Sequence, residues 1–133
     1  MTTVVTGGAG FVGMNLVEAL LKRGEDVVLC DGGALPPAAE RALKPYGKAL
    51  SVLRGNVLDP QFLQKVFSGH RNANVAHCAA ITSSPQREAR EPAAIMEVNL
   101  NGTIGVLEAA RQHGAGASSM SARVRCTARR CSG

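Results

Sequence analysis

Aromatic side chains are scarce: the 133 residues hold three Phe, one Tyr (Tyr46) and no Trp. The stacking platforms of single-stranded nucleic-acid binders are therefore lacking. Long apolar runs are missing as well, and none reaches the roughly 18 residues that would span a bilayer. A transmembrane helix is excluded on that ground, and no membrane partner is expected. No basic leader precedes the first glycines, so the N-terminus does not resemble a secretory signal, and a cytoplasmic location is the expectation. None of the four cysteines forms a CxxC pair, so no metal site is expected. Cys30 and Cys78 sit in apolar runs and read as buried, reduced thiols. Acidic residues are absent from residues 114–133, which hold four Arg, whereas residues 1–113 hold eleven Lys and Arg against all ten Asp and Glu. The net charge of +5 thus belongs mainly to the C-terminal twenty residues, and a body near neutrality without a reading motif argues against nucleic acid as its partner.

What is present is an alternation of short apolar runs with longer amphipathic stretches, within a length suited to one domain. Residues 3–6 read as a first strand. After the glycines, Val12, Leu16 and Leu20 share a helical face with Val17 and Leu21 beside it, and Lys22-Arg23-Gly24 supplies a basic last turn and a glycine stop. Val27-Val28-Leu29-Cys30 is a second strand ending at Asp31-Gly32-Gly33. A weaker helix over 36–46, a strand over 50–53, a helix capped by Asp59-Pro60, and a strand over 75–80 follow. A long helix from Glu91-Pro92 to Gly114 carries Ile95, Val98, Ile104, Leu107 and Ala110 at helical spacing; its Gly102 and Gly105 point to close packing or bending. The fold class is α/β, a Rossmann-like doubly wound parallel sheet cut short after about four strands.

Gly7-Gly8-Ala9-Gly10-Phe11-Val12-Gly13 contains both GxGxxG and GxxGxxG. It follows a strand and opens a helix, so its glycines allow a tight turn, let backbone amides approach a pyrophosphate, and bring helix and strand together. The helix N-terminus adds free N–H groups and partial positive charge. Asp31 lies eighteen residues beyond Gly13, at the end of the second strand, where a carboxylate accepts from ribose hydroxyls. It would repel a 2′-phosphate by about 4 kcal/mol per unit charge at roughly 4 Å in an effective dielectric near 20. NAD is therefore favoured over NADP. No basic residue follows closely in the chain, the next being Arg41. His77 reads as a packed strand residue without a partner to orient it.

These segments, together with Gly55-Asn56-Val57-Leu58-Asp59, His77-Cys78-Ala79-Ala80 and Val98-Asn99-Leu100-Asn101-Gly102-Thr103, resemble the extended short-chain dehydrogenase/reductase family, in its NAD-dependent epimerase/dehydratase branch, over residues 2–113. The resemblance implies that Gly7, Gly10 and Gly13 with Phe11 and Val12 line the pyrophosphate and that Asp31 holds the ribose. Asn56 and Val57 would flank the adenine, Ala79 and Ala80 the cofactor at the end of the fourth strand, and Asn99 would steady the active region. Asn56 stands where the family usually has Asp; its carbonyl can still accept from the adenine amine.

The family's later pattern, an apolar fifth strand ending in Ser or Thr and then Tyr-x-x-x-Lys, is not met. Four residues after Tyr46 stands Leu50, and Ser118, Ser119 and Ser121 have no following tyrosine, so no catalytic residue is assigned. Residues 1–113 are read as an incomplete NAD(P)-binding domain and 114–133 as an anomalous Arg/Ser/Cys-containing tail without order, resembling DNA translated out of frame. Unless the tail or another chain covers it, the fourth strand would then be an exposed edge, open to a second copy or a complementing chain. Three functions follow: an NAD-binding portion of an epimerase, dehydratase or hydroxysteroid-type dehydrogenase, inactive alone; a non-catalytic NAD-sensing or interaction module; or nucleic-acid association through the arginine tail.

Overall fold

The computed structural model of the chain describes residues 1–115 and 118–120. Strands β1 (Thr2–Thr6), β2 (Asp26–Asp31), β3 (Leu50–Arg54) and β4 (Asn74–His77) form the parallel sheet that the apolar runs predict, with a short β5 (Ser118–Met120). The strand order is β3-β2-β1-β4-β5. Helix α1 (Phe11–Lys22) connects β1 to β2, α2 (Pro37–Leu43) and a 3₁₀ turn over Lys44–Ala49 connect β2 to β3, and α3 (Pro60–Gly69) leads to β4. Beyond β4 come α4 (Pro85–Arg90), α5 (Pro92–Met96), a π-helical stretch over Glu97–Gly102, and α6 (Thr103–Gln112).

The central strands are apolar on both faces because both faces are covered. Val4, Val28, Cys30 and Val75 pack under α3 and α6 through Leu63, Val66, Phe67, Val106, Ala109 and Ala110. The alternate residues Val5, Val27, Leu29 and Ala76 pack on the other face with Val17 and Leu21 of α1 and Leu43 of α2. In-register pairs such as Val4↔Val28 and Val4↔Val75 keep each set on its own side. Since α1 and α2 cover one face and α3 and α6 the other, the winding reverses between β1 and β4, which opens a crevice at the carboxyl ends of those strands.

Three expectations need correction. Ser118, Ser119 and Met120 pair in parallel with Val75, Ala76 and His77, so β4 is covered by residues of the tail and is not an edge among the described residues. A polar three-residue strand adds to the sheet because backbone ladders need no apolar side chain. The buried line of α1 runs through Gly13, Val17 and Leu21 while Val12 is exposed. The buried line of the long helical stretch runs through Ile95, Gly102, Val106, Ala109 and Ala110, leaving Ile104 and Leu107 exposed. Both lines pass through a glycine, Gly13 and Gly102, at the close approach expected of each. A β-carbon on Gly102 would press on the Val57 side chain. Helix α4 is an addition to the expected elements, although Ser84-Pro85 repeats the signal of Asp59-Pro60: Ser84 accepts from Arg87 N–H as Asp59 accepts from Gln61 N–H. Residues 121–133, with Ser121 and the remaining two cysteines, lie outside the described residues. No helix among the described residues is long and apolar enough to cross a membrane.

Phe67, 1% exposed, joins α3 to the sheet. Phe67→Ala should cost about 3–5 kcal/mol in urea unfolding, whereas Val52→Ala on the exposed edge strand should stay within about 0.5 kcal/mol.

Candidate functional site

A cleft of about 490 Å³ runs along the carboxyl ends of the strands. Its walls come in the order of the sheet: Gly55, Asn56 and Val57 after β3; Asp31 to Ala34 after β2; Gly7, Ala9 and Gly10 after β1; Cys78, Ala79 and Ala80 after β4, with Val98 above. Seven of the sequence-predicted residues (Gly7, Gly10, Asp31, Asn56, Val57, Ala79 and Ala80) therefore share one crevice. Ala9, residues 32–34, Gly55, Cys78 and Val98 also line it and were missed, although each lies within a few positions of a predicted residue.

The glycine loop has few free amides. Gly8 N–H donates to the Cys30 carbonyl at 3.1 Å and Gly10 N–H to the Gly7 carbonyl at 3.1 Å. Ala9 N–H donates to Asp31 Oδ2 at 2.9 Å. The helical ladder begins with Met14 N–H on the Gly10 carbonyl at 2.8 Å. The backbone N–H groups of Phe11, Val12 and Gly13, the first three of α1, are donors without a partner among the described residues. Their side chains do no lining: the Phe11 and Val12 side chains are 88% and 56% exposed. Gly13 lies beneath the loop, where any β-carbon would run into the Gly7 carbonyl. Gly7 itself has φ +69° and lies so close to Ala79 that a side chain is excluded twice over.

Asp31 ties β2 to this loop. Its two carboxylate oxygens accept Ala9 N–H at 2.9 Å and Gly33 N–H at 2.8 Å, and each retains a lone pair for a hydroxyl donor. The absence of a nearby cation expected from the chain is corrected by the fold. Arg54 pairs with Asp31 in the β2–β3 register, and its Nε donates to the Gly32 carbonyl at 3.3 Å. It reaches that place from β3, 23 positions away in the chain.

On the β4 side, Asn99 does not line the cleft. Its Oδ1 accepts Ile81 N–H at 2.7 Å and its Nδ2 donates to the Ile81 carbonyl at 3.1 Å, which fixes the segment that carries Ala79 and Ala80. Asn99 stands in the π-helical stretch, a feature frequent at functional sites. His77 is buried as expected, but it has partners. The Thr103 hydroxyl donates to the Asn99 carbonyl at 2.7 Å, so its oxygen accepts from His77 Nε2–H at 2.9 Å. His77 Nδ1 then accepts the Thr6 hydroxyl at 2.6 Å. Burial lowers the imidazole pKa below the ordinary 6.5, which favours this neutral form. Burial, and then the charge of Asp31, pushes the Cys30 thiol up to about 12, and burial raises Cys78 as well. Both thiols stay protonated near neutrality and are poor nucleophiles. Among the described residues, no group of three or more His, Cys, Asp or Glu is placed to hold a metal ion.

Comparison with known proteins agrees with this geometry: the NAD dependent epimerase/dehydratase family matches residues 3–123. The chain belongs to that family. The match runs past residue 113 and takes in β5. The UDP-glucose 4-epimerase of Erwinia amylovora is 37% identical over 116 residues, covering 86% of this chain and 34% of that protein. Among solved structures, the UDP-glucose 4-epimerase of Thermus thermophilus in complex with NAD superimposes with a TM-score of 0.74 at 33% identity, over 89% of this chain and 36% of that one. The Bifidobacterium longum enzyme in complex with NAD+ and UDP gives 0.80 at 30% identity, over 91% and 36%. The chain thus spans about a third of the length of the relatives it matches.

The polar chain through His77 has a pH signature. Its pKa is lowered on folding, so the unfolded chain binds the extra proton first and stability is lost as pH falls below 6.5, down through the folded value. Thermal unfolding followed between pH 7.5 and 5 should show this decline. His77→Gln should flatten it while costing about 1–3 kcal/mol at neutral pH through the unpaired Thr6 hydroxyl.

Proposed function

We propose that the chain holds NAD along the carboxyl edge of its sheet and does not itself carry the proton-transfer pair of its family. The observation behind this is the set of three unpartnered amides of Phe11, Val12 and Gly13 at the mouth of a twelve-residue helix, beside a carboxylate with spare lone pairs. A diphosphate needs such donors, and a diol needs such an acceptor. When bound, the dinucleotide supplies hydride chemistry. The chain's own residues bind and orient it: the α1 amides take the diphosphate and Asp31 the adenosine ribose. Asn56 and Val57 flank the base, and Ala79 and Ala80, steadied by Asn99, leave flat space beside β4. Gly7, Gly10 and Gly13 act by letting the backbone approach.

Asp31 gives NAD its preference over NADP, and Arg54 makes that preference smaller than a lone carboxylate would. The 133 residues contain no Tyr-x-x-x-Lys, and the ionisable groups nearest β4, His77 and Cys78, are held neutral. This supports the binding portion of an epimerase, dehydratase or hydroxysteroid-type dehydrogenase, inactive by itself. A cytoplasmic setting suits the free thiols of Cys30 and Cys78.

Calorimetry on the folded chain should give NAD binding tighter than NADP by at least about tenfold. Asp31→Ala should narrow that ratio to within about threefold and Arg54→Ala should widen it. Gly13→Ala should abolish binding by forcing α1 off the loop. Absence of heat with NAD in a folded sample would overturn the assignment.

A further inference from the structure

We infer that Thr103, which does not line the cleft, is the positioning residue that sets its β4 wall, and so decides how much better a whole dinucleotide is held than its ADP half. The inference rests on the dinucleotide reading above. Residues 78–84 leave β4 without regular structure, and Cys78, Ala79 and Ala80 at their start line the cleft. Among the described residues, the backbone of residues 79–83 makes two hydrogen bonds, both at Ile81 and both to the Asn99 side chain, at 2.7 and 3.1 Å. The wall is pinned at that one point, so it is only as well placed as Asn99.

Asn99 stands in the π-helical stretch over Glu97–Gly102, a rare backbone form. Its support comes from one turn further along. The Thr103 hydroxyl donates to the Asn99 carbonyl at 2.7 Å, its oxygen accepts His77 Nε2–H at 2.9 Å, and the Thr6 hydroxyl braces the ring from the other side at 2.6 Å. His77 is 4% and Thr6 1% exposed, so water cannot replace a bond lost at that end. Thr103 therefore refers the position of Asn99 to the centre of the sheet. Thr103→Val removes both the donor to the Asn99 carbonyl and the acceptor for His77 while keeping the branched shape; Thr103→Ser keeps both groups. The other half of the cleft is set independently, by the approach of Gly13 to Gly7 and by Ala9 N–H on Asp31, which Thr103 does not reach. NAD spans both halves, whereas ADP occupies the half from β3 to β1.

Two measurements on the full chain test this. Amide hydrogen exchange followed by NMR should show Ile81 N–H exchanging about tenfold faster in Thr103→Val than in the native chain, with Met14 N–H of α1 unchanged and Thr103→Ser near native. Calorimetry should show Thr103→Val weakening NAD by about five- to tenfold and ADP by less than about twofold, with Thr103→Ser restoring NAD binding. Thr103→Ala, a better helix former, should give the same readings where the valine variant does not fold. Unchanged exchange at Ile81, or NAD and ADP weakened by the same factor, would overturn the inference while leaving the dinucleotide reading intact. A folded native chain that binds neither nucleotide would overturn both.

Discussion

The start of α1 rests directly on the end of β1, because Gly13 presents only a hydrogen to the Gly7 carbonyl. Much of the site's geometry depends on that contact. It brings the unpaired amides of the first helical turn to the carboxyl edge of the sheet, and it leaves the loop so short that its other amides must be spent internally. Asp31 completes the arrangement from the next strand by taking Ala9 N–H. The loop is thus held at one side by close backbone packing and at the other by a charge-assisted hydrogen bond, which is stronger than a neutral one. A ligand meeting such a loop finds donors already ordered, so less ordering entropy is lost on binding.

The β4 side is organised by hydrogen bonds between side chains. Thr6, His77, Thr103 and the Asn99 carbonyl form one directional chain linking β1, β4 and α6, and Asn99 extends it to Ile81 through its amide. Every member is both buried or half-buried and satisfied, the condition under which a polar network specifies one arrangement. Its direction follows from Thr103: one hydroxyl hydrogen committed to a carbonyl sets the tautomer of His77, and the tautomer sets the role of Thr6. The imidazole ties the sheet to the helix, and no lone pair or proton of it remains for a substrate.

Most of the fold could be read from the chain because it is written in local signals. Apolar runs of strand length, glycine after Lys22-Arg23, and Asp59-Pro60 each act within a few residues. The glycine motif and Asp31 belong to the same class, since the chain itself sets strand, loop and helix side by side. What escaped depends on distant approach. The close packing of Gly13 and Gly102 was legible, but the helix faces read from apolar spacing, through Val12 and through Ile104 and Leu107, were not the buried ones. Arg54 reaches Gly32, and His77 finds Thr6 and Thr103, only after strands pair. Ser118–Met120 joins the sheet through its backbone, which composition does not report.

The cleft divides the work between its two halves. From β3 to β1 it offers polar complements in sequence: an amide at Asn56, a carboxylate at Asp31, and free N–H groups at the head of α1. From β1 to β4 it offers Cys78, Ala79, Ala80 and Val98, small or apolar groups whose one thiol is kept protonated by burial. General acid–base work needs a group whose pKa lies near the working pH and which keeps a free lone pair or proton. His77 is the nearest residue with a suitable ordinary pKa, and both its nitrogens are committed. Among the described residues, the groups lining the cleft are thus suited to holding a ligand, and neither nitrogen of His77 is free for proton transfer.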